Sequence, residues 1–350
     1  MMEMMEMTGK FNSAKIFANT IEQECIVQIQ NFLDHPASID SDIRIMPDTH
    51  AGKGCVVGFT QTIKERVVPN LVGTDIGCGV LVLRLRTPIS PEDFVARCKK
   101  IPVGFNGHQT PIETFDLSDF NAEIKNPDRI QCSIGTLGSG NHFIELNEDK
   151  NGNQYVVIHT GSRNLGVQVC TYHQNIAGKD PLAYLEGERL QDYLSDMYLA
   201  QKYSVLNRNV IAYLLDLDIS YSFQTIHNYI DFEDNILRKG AIACRETERV
   251  IIPLNMRDGS LIGIGKGNPD WNFSGPHGAG RVMSRNQARR ELSFEQFKNS
   301  MRGIYSETVL PETIDEAPMV YKDANEIKSI VQDTIIIEDH IKVIANFKGF

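Results

Sequence analysis

The apolar residues of this chain come in short runs, each cut off by glycine or proline, and that pattern limits what it can fold into. Ala51–Thr60, Val67–Val72, Val80–Arg86, Phe143–Leu146, Tyr155–His159, Arg249–Pro253 and Ser260–Ile264 read as strands. Helix-period patterns lie between them at Glu92–Lys100, Leu182–Leu215, Phe223–Asn235 and Phe294–Tyr305. The mixture predicts an α+β fold, with a mixed β-sheet core, surrounding helices, and polar residues delivered at strand ends. No repeat, heptad run or Gly/Pro-rich linker divides the chain, so residues 1–350 are expected to form a single compact domain, with 1–44 its least defined part. With 350 residues, 41% of them hydrophobic, such a domain can bury a large core.

Composition narrows the classes further. The chain has no apolar run of membrane-spanning length, and its opening MMEMMEMTGK lacks the pattern of a secretory signal, so the expectation is a cytoplasmic protein with no membrane partner. Seven scattered cysteines, an odd number, argue for free thiols in a reducing compartment. A formal net charge of -10 repels polyanions, so any nucleic acid must meet a local basic surface or a metal.

The glycine turns carry the candidate chemistry. In Val72-Gly-Thr-Asp-Ile-Gly-Cys-Gly79, a carboxylate and a thiol three residues apart sit among three glycines, a plausible metal-ligand pair for Zn²⁺, Mn²⁺ or Fe²⁺, although a lone buried cysteine is commonly structural. Gly138-Ser-Gly-Asn-His-Phe-Ile-Glu145 places Asn141, His142 and Glu145 at a strand entrance. His159 ends an apolar run, and His227 is followed by Asn228 in an apolar and aromatic stretch. Each histidine alone fits a core or surface role; together with Asp75 and Cys78 they suit a transition metal without selecting one. Asp48 and His50 fit either supporting contacts to such a site or a structural turn.

A second constellation suits phosphate. His277-Gly-Ala-Gly-Arg281 exposes an imidazole between glycines whose N–H groups can face an anion. A helix opening at Gly280 would bring Arg281 and Arg285 to one face; the alternative is a glycine turn before a solvated basic helix. Ser162-Arg163 and Arg238-Lys239-Gly240 add positive charge beside glycines.

Taken in order, Met46-Pro-Asp-Thr-His-Ala-Gly-Lys-Gly54, Asp75-Ile-Gly-Cys-Gly79, Leu137-Gly-Ser-Gly-Asn-His-Phe-Ile-Glu145, His159-Thr-Gly-Ser-Arg163, His277-Gly-Ala-Gly-Arg281 and Asp315-Glu-Ala-Pro-Met-Val-Tyr-Lys-Asp323 resemble the signatures of the RtcB family of RNA ligases, of which this looks like a short member. The resemblance runs from about residue 45 to the C-terminus and implies the family's own compact α+β fold. It implies an enzyme that joins RNA 3′-phosphate or 2′,3′-cyclic phosphate ends to 5′-hydroxyl ends, using GTP and two Mn²⁺ ions, in RNA splicing or repair. His277 would carry the guanylate. Asp75, His142 and Cys78 would hold one metal, and His159, His227 and Cys78 the other. Asn141, Phe143, Ile144, Glu145, Asn228, Pro253, Met256, Ser260, Gly278, Ala279, Gly280, Tyr321 and Lys348 would line the nucleotide pocket, while Arg163, Lys239, Arg281 and Arg285 would meet RNA or phosphate. RNA, GTP and an activating protein are the partners such membership suggests.

Two departures stand out. Ile252-Pro-Leu-Asn-Met-Arg-Asp-Gly-Ser260 stands where many members have a Pro-Gly-Ser-Met loop, putting Leu254 and Asn255 where the family presents backbone to the nucleotide, and Phe350 extends one residue beyond the usual terminal glycine, where it is expected to disturb the placement of Lys348. Two rival readings are a metal-dependent phosphohydrolase and a non-ligating RNA-binding relative. A covalent GMP on His277 excludes the first, and joined RNA excludes the second.

Overall fold

The computed structural model describes residues 5–349. Residues 1–4, and Phe350 with its expected effect on Lys348, lie outside the described residues. The fold is α+β. A seven-stranded sheet, antiparallel throughout, runs in spatial order Arg249–Asn255, Gly259–Gly265, Ile335–Lys348, Phe143–Glu148, Gln154–Thr160, Gly79–Leu85 and Ile219–Ile226. The six-stranded sheet is Met5–Thr8, Ser13–Ile16, Ile43–His50, Val57–Thr62, Ile236–Lys239 and Asn228–Asp231, with one parallel pair, Ser13–Ile16 beside Ile43–His50. A short ribbon pairs Ala241–Ala243 with Ser274–Pro276.

The two large sheets meet at a single residue of one continuous segment. Ile219–Ile226 ends in the first sheet, Asn228–Asp231 begins in the second, and His227 is the joint, its N–H donating to Cys78 O at 2.9 Å. The sequence patterns predict a helix over Phe223–Asn235, and the structure corrects this to two strands. The alternation of Tyr221, Phe223 and Thr225 is blurred because this edge strand is only half-buried. A second correction concerns Val67–Val72, which contributes one β-bridge at Val67 and then a helical turn, Pro69–Val72; proline at its first helical position fixes the geometry. The other expected elements are present with shifted ends, the long helix running Gly187–Leu215 and the others Pro91–Cys98 and Phe294–Ser300.

Register puts the functional ends together. Gly79 pairs with both Thr160 and Ile226, and Phe143 pairs with His159, so Cys78, His142, His159 and His227 gather at one end of four neighbouring strands. The long helix fastens that end. Most of its buried face is apolar, but Gln201, Ser204, Asn207 and Arg208 form a buried polar stripe at helical spacing. Ser204 Oγ donates to Ile76 O at 2.7 Å. Asn207 accepts from the N–H groups of Gly135 and Thr136 and donates to Gly161 O at 3.0 Å. Arg208 donates to Gly77 O and Thr160 O, both at 2.8 Å. Backbone polar groups in the glycine turns are thus satisfied without water, as their burial requires. No helix among the described residues is long and apolar enough to cross a membrane.

Candidate active site

Cys78 is the hub of the strand-end cluster. Its Sγ lies 3.2 Å from His159 Nε2 and 3.5 Å from His142 Nε2, and His159 Nε2 lies 3.2 Å from His227 Nε2. His142 Nε2 also meets Asp75 Oδ2 at 2.9 Å. Two groups of potential ligands therefore share one thiol: Cys78 with His159 and His227, and Cys78 with Asp75 and His142. His159 Nδ1–H donates to Asn141 O at 3.1 Å, which leaves its Nε2 lone pair facing the cluster, the tautomer a metal ligand needs.

Burial, followed by neighbouring imidazoles, holds His159 and His227 well below the ordinary histidine range, so both are neutral. Burial pushes the Cys78 thiol well up, Asp75 adding to the effect, while the Arg208 guanidinium opposes it. Burial also raises the Asp75 carboxyl, yet His142 beside it outweighs this and holds Asp75 well below the usual carboxylate range. The buried Nδ1 atoms of His142 and His227 have no hydrogen-bond partner. Mutually facing Nε2 and Sγ donors suit one or two cations of intermediate softness, and the donor set fits Mn²⁺, Zn²⁺ or Co²⁺.

His277 stands beside this cluster. It follows the strand Ser274–Pro276, and its ring centre is 4.8 Å from that of His227. Its backbone N–H and its Nδ1 both meet Asp48 Oδ2, at 3.1 and 2.7 Å. A carboxylate acceptor fixes the proton on Nδ1 and leaves Nε2 bare. Asp48 itself is fully buried. Gly280 explains part of the approach: with φ +76°, a Cβ there would lie 2.5 Å from Asp48 O. Asp48 is the supporting carboxylate the sequence left open; its separation of 229 residues from His277 made the pairing illegible. His50 lies nearby, its Nδ1 meeting Asp48 O at 3.0 Å, and burial lowers it to about 4.

His277 opens into a cavity of about 490 Å³, within the size range of nucleotide and cofactor sites. Asn141, Phe143, Glu145, Pro253, Met256, Gly278, Ala279, Gly280, Tyr321 and Lys348 line it, as do Leu254 and Asn255 of the divergent loop. Three other pocket candidates sit elsewhere. Ile144 points into the core on the opposite face of its strand, Ser260 is buried in its strand, and Asn228 caps the backbone N–H of Gly240 at 2.9 Å. Deep in the cavity, burial lifts the Glu145 carboxyl to about 7 against the pull of the Lys348 ammonium.

The four candidate phosphate cations are all engaged within the fold. Arg281 and Arg285 converge on Glu316, at 3.3 and 2.6 Å, with Lys348 at 3.4 Å and Tyr321 Oη at 2.6 Å. Burial of Glu316 is outweighed by Lys348, Arg285 and Arg281, which bring its carboxyl down to about 2. Here the expected helix opening at Gly280 is corrected: Ser284 caps it by accepting from Gln287 N–H, so the helix is Arg285–Glu291, and Arg281 instead bridges to Tyr321. Lys239 donates to the carbonyls of Lys53 and Cys55, and burial lowers its ammonium to about 8. Arg163 donates to Thr136 Oγ1 at 3.1 Å and to Gly104 O. Sequence reasoning missed Glu316 and Arg208; the polar stripe in the long helix was the available signal for Arg208.

Fold and site define an α+β protein whose buried thiol, imidazole and carboxylate centre adjoins a nucleotide-sized cavity. A family model described as tRNA-splicing ligase RtcB matches residues 28–102 and 108–349. The RNA-splicing ligase RtcB of Escherichia coli strain K12 is 30% identical over 392 aligned positions, covering 94% of this chain and 95% of that protein. The tRNA-splicing ligase RtcB of Archaeoglobus fulgidus is 26% identical over 441 positions, covering 93% and 91%. This chain belongs to the RtcB family.

Proposed function

We propose that this protein is an RNA ligase that uses GTP to join an RNA 3′-phosphate or 2′,3′-cyclic phosphate end to a 5′-hydroxyl end through a guanylate carried on His277. The observation that carries the reading is the Asp48–His277 pair at 2.7 Å beside the Cys78 cluster. A histidine whose Nδ1 proton is held by a buried carboxylate presents a bare Nε2 and is stabilised as positive charge develops on it, as a nucleophile requires.

Asp75, His142 and Cys78, and His159, His227 and Cys78, would hold two divalent cations, Mn²⁺ in this reading. When bound, they would supply charge neutralisation and Lewis-acid polarisation of the triphosphate. The chain's own residues do the rest. His277 Nε2 attacks the α-phosphorus of GTP, and the bond to the bridging oxygen breaks as pyrophosphate departs. Asp48 keeps the ring oriented and balances its charge throughout. An oxygen of the RNA 3′-phosphate then displaces His277 from the guanylate, and the 5′-hydroxyl oxygen displaces GMP; a cyclic phosphate is first opened by water. Glu145 and Lys348 support the choice of guanine, since its edge offers N–H donors to a carboxylate and a carbonyl to an ammonium. Seven unpaired cysteines, with Cys78 needed as a thiolate, suit a reducing, cytoplasmic setting.

The test is joining of two RNA oligonucleotides, one ending in 3′-phosphate and one beginning with 5′-hydroxyl, with GTP and Mn²⁺. Joined product from the wild type and none from His277→Ala supports the reading. Guanylylation without joining would leave only its first half, and joining by His277→Ala would overturn it.

A further inference from the structure

His159, His227 and His277 line the cavity, whereas Asp75, at the His142 end of the Cys78 centre, keeps 34% of its side chain open to solvent. Arg163 stands against Gly138, beside His142, the hydrogen-bond partner of Asp75. Glycine at 138 allows its approach: a Cβ there would lie 2.0 Å from His142 Nδ1 and 2.5 Å from Arg163 Nη1. Arg163 also has the left-handed backbone φ of +55°, rare for a residue with a side chain, and its guanidinium donates to Gly104 O.

Gly104 belongs to a tight turn closed by Asn106 N–H to Val103 O at 3.1 Å, and its φ of +64° suits glycine. The next residue, Phe105, is 90% exposed, more than any other large apolar side chain among the described residues. Fraying does not account for this. The turn is anchored by the Val103–Leu137 bridge, by Leu137 N–H to Pro102 O at 2.9 Å, and by His108 N–H to Cys132 O at 2.8 Å.

We propose that Phe105 is a stacking platform for a nucleobase of the RNA strand whose 3′ end enters the centre from the Asp75 side. The inference rests on the RNA-joining function proposed above. An exposed ring on an anchored turn, next to the carbonyl that holds the Arg163 guanidinium beside His142, is placed to meet a strand and not to fill a core. Stacking is available on every base, and in a chain of net charge -10 it adds a hold on RNA that does not draw on positive potential.

The experiment compares wild type, Phe105→Ala and Phe105→Trp in joining and in binding an RNA that carries 2-aminopurine at successive positions from its 3′-phosphate. Phe105→Ala should weaken RNA binding and raise KM for RNA roughly tenfold, with kcat and GTP-dependent guanylylation unchanged. The 2-aminopurine quench should vanish at one position and return in Phe105→Trp, and the loss should persist at high salt. Equal RNA binding and KM in wild type and Phe105→Ala would overturn the proposal, including where the ring serves a protein partner instead. A wild type that neither binds nor joins RNA would remove the underlying reading, a failure seen without any variant.

Discussion

Two clusters of buried charge flank His277, and they are built in opposite ways. Around Glu316 the account closes internally: one carboxylate meets Arg281, Arg285, Lys348 and the Tyr321 hydroxyl, and Asp315 takes further contacts from Arg285 and Arg289. Around Cys78 it does not close. The Cys78 thiol and the neutral imidazoles of His159 and His227 face one another through Sγ and Nε2. The first cluster is neutralised by its own side chains and shapes a pocket wall; the second is a convergent set of donors of the kind that hold a cation. Burial makes both expensive to disturb, but for different reasons.

Substitutions separate them. Cys78→Ala removes the thiol shared by both donor groups, so it should abolish metal-dependent activity and the rise in Tm expected of the wild type with Mn²⁺ or Co²⁺; a retained Tm shift would show that the cations bind elsewhere. Glu316→Ala leaves three cations without their common partner and should cost about 3–5 kcal/mol in chemical denaturation, with metal binding retained. A cost below about 1 kcal/mol would mean that the network is not a stabilising unit. Acid should act on the same cluster. Because Glu316 is depressed from 4.5 to about 2 in the fold, its contribution is present above pH 4.5 and is lost as pH falls towards 2. On the order of 3 kcal/mol should disappear over that window in the wild type and be missing from Glu316→Gln. Arg289→Ala gives the smallest effect. More than half of its side chain is exposed, so a change under about 1 kcal/mol is expected, and a larger one would extend the closed network to the surface.

The contrast also explains what the sequence could reveal. Candidate donors at the ends of apolar runs were legible, because a Cys or His between a glycine turn and a strand breaks the local pattern, and three such residues, Cys78, His142 and His159, converge at one sheet end. The connection through His227 was not, since a half-buried edge strand resembles an amphipathic helix when its partners are unknown. Nor was the closed cluster. Arg281 and Arg285 read as free cations for phosphate, and only the fold brings Asp315 and Glu316 to them. Asp48 shows the same limit, for a hydrogen bond between segments far apart in sequence leaves no local trace.

The most direct test of the central claim is intact-protein mass spectrometry after incubation with GTP and Mn²⁺. The account predicts a gain of one GMP on the wild type, mapped to His277, and none on His277→Ala that still binds the metal. An unmodified wild type under every metal tried, or an adduct that persists in His277→Ala, would contradict it.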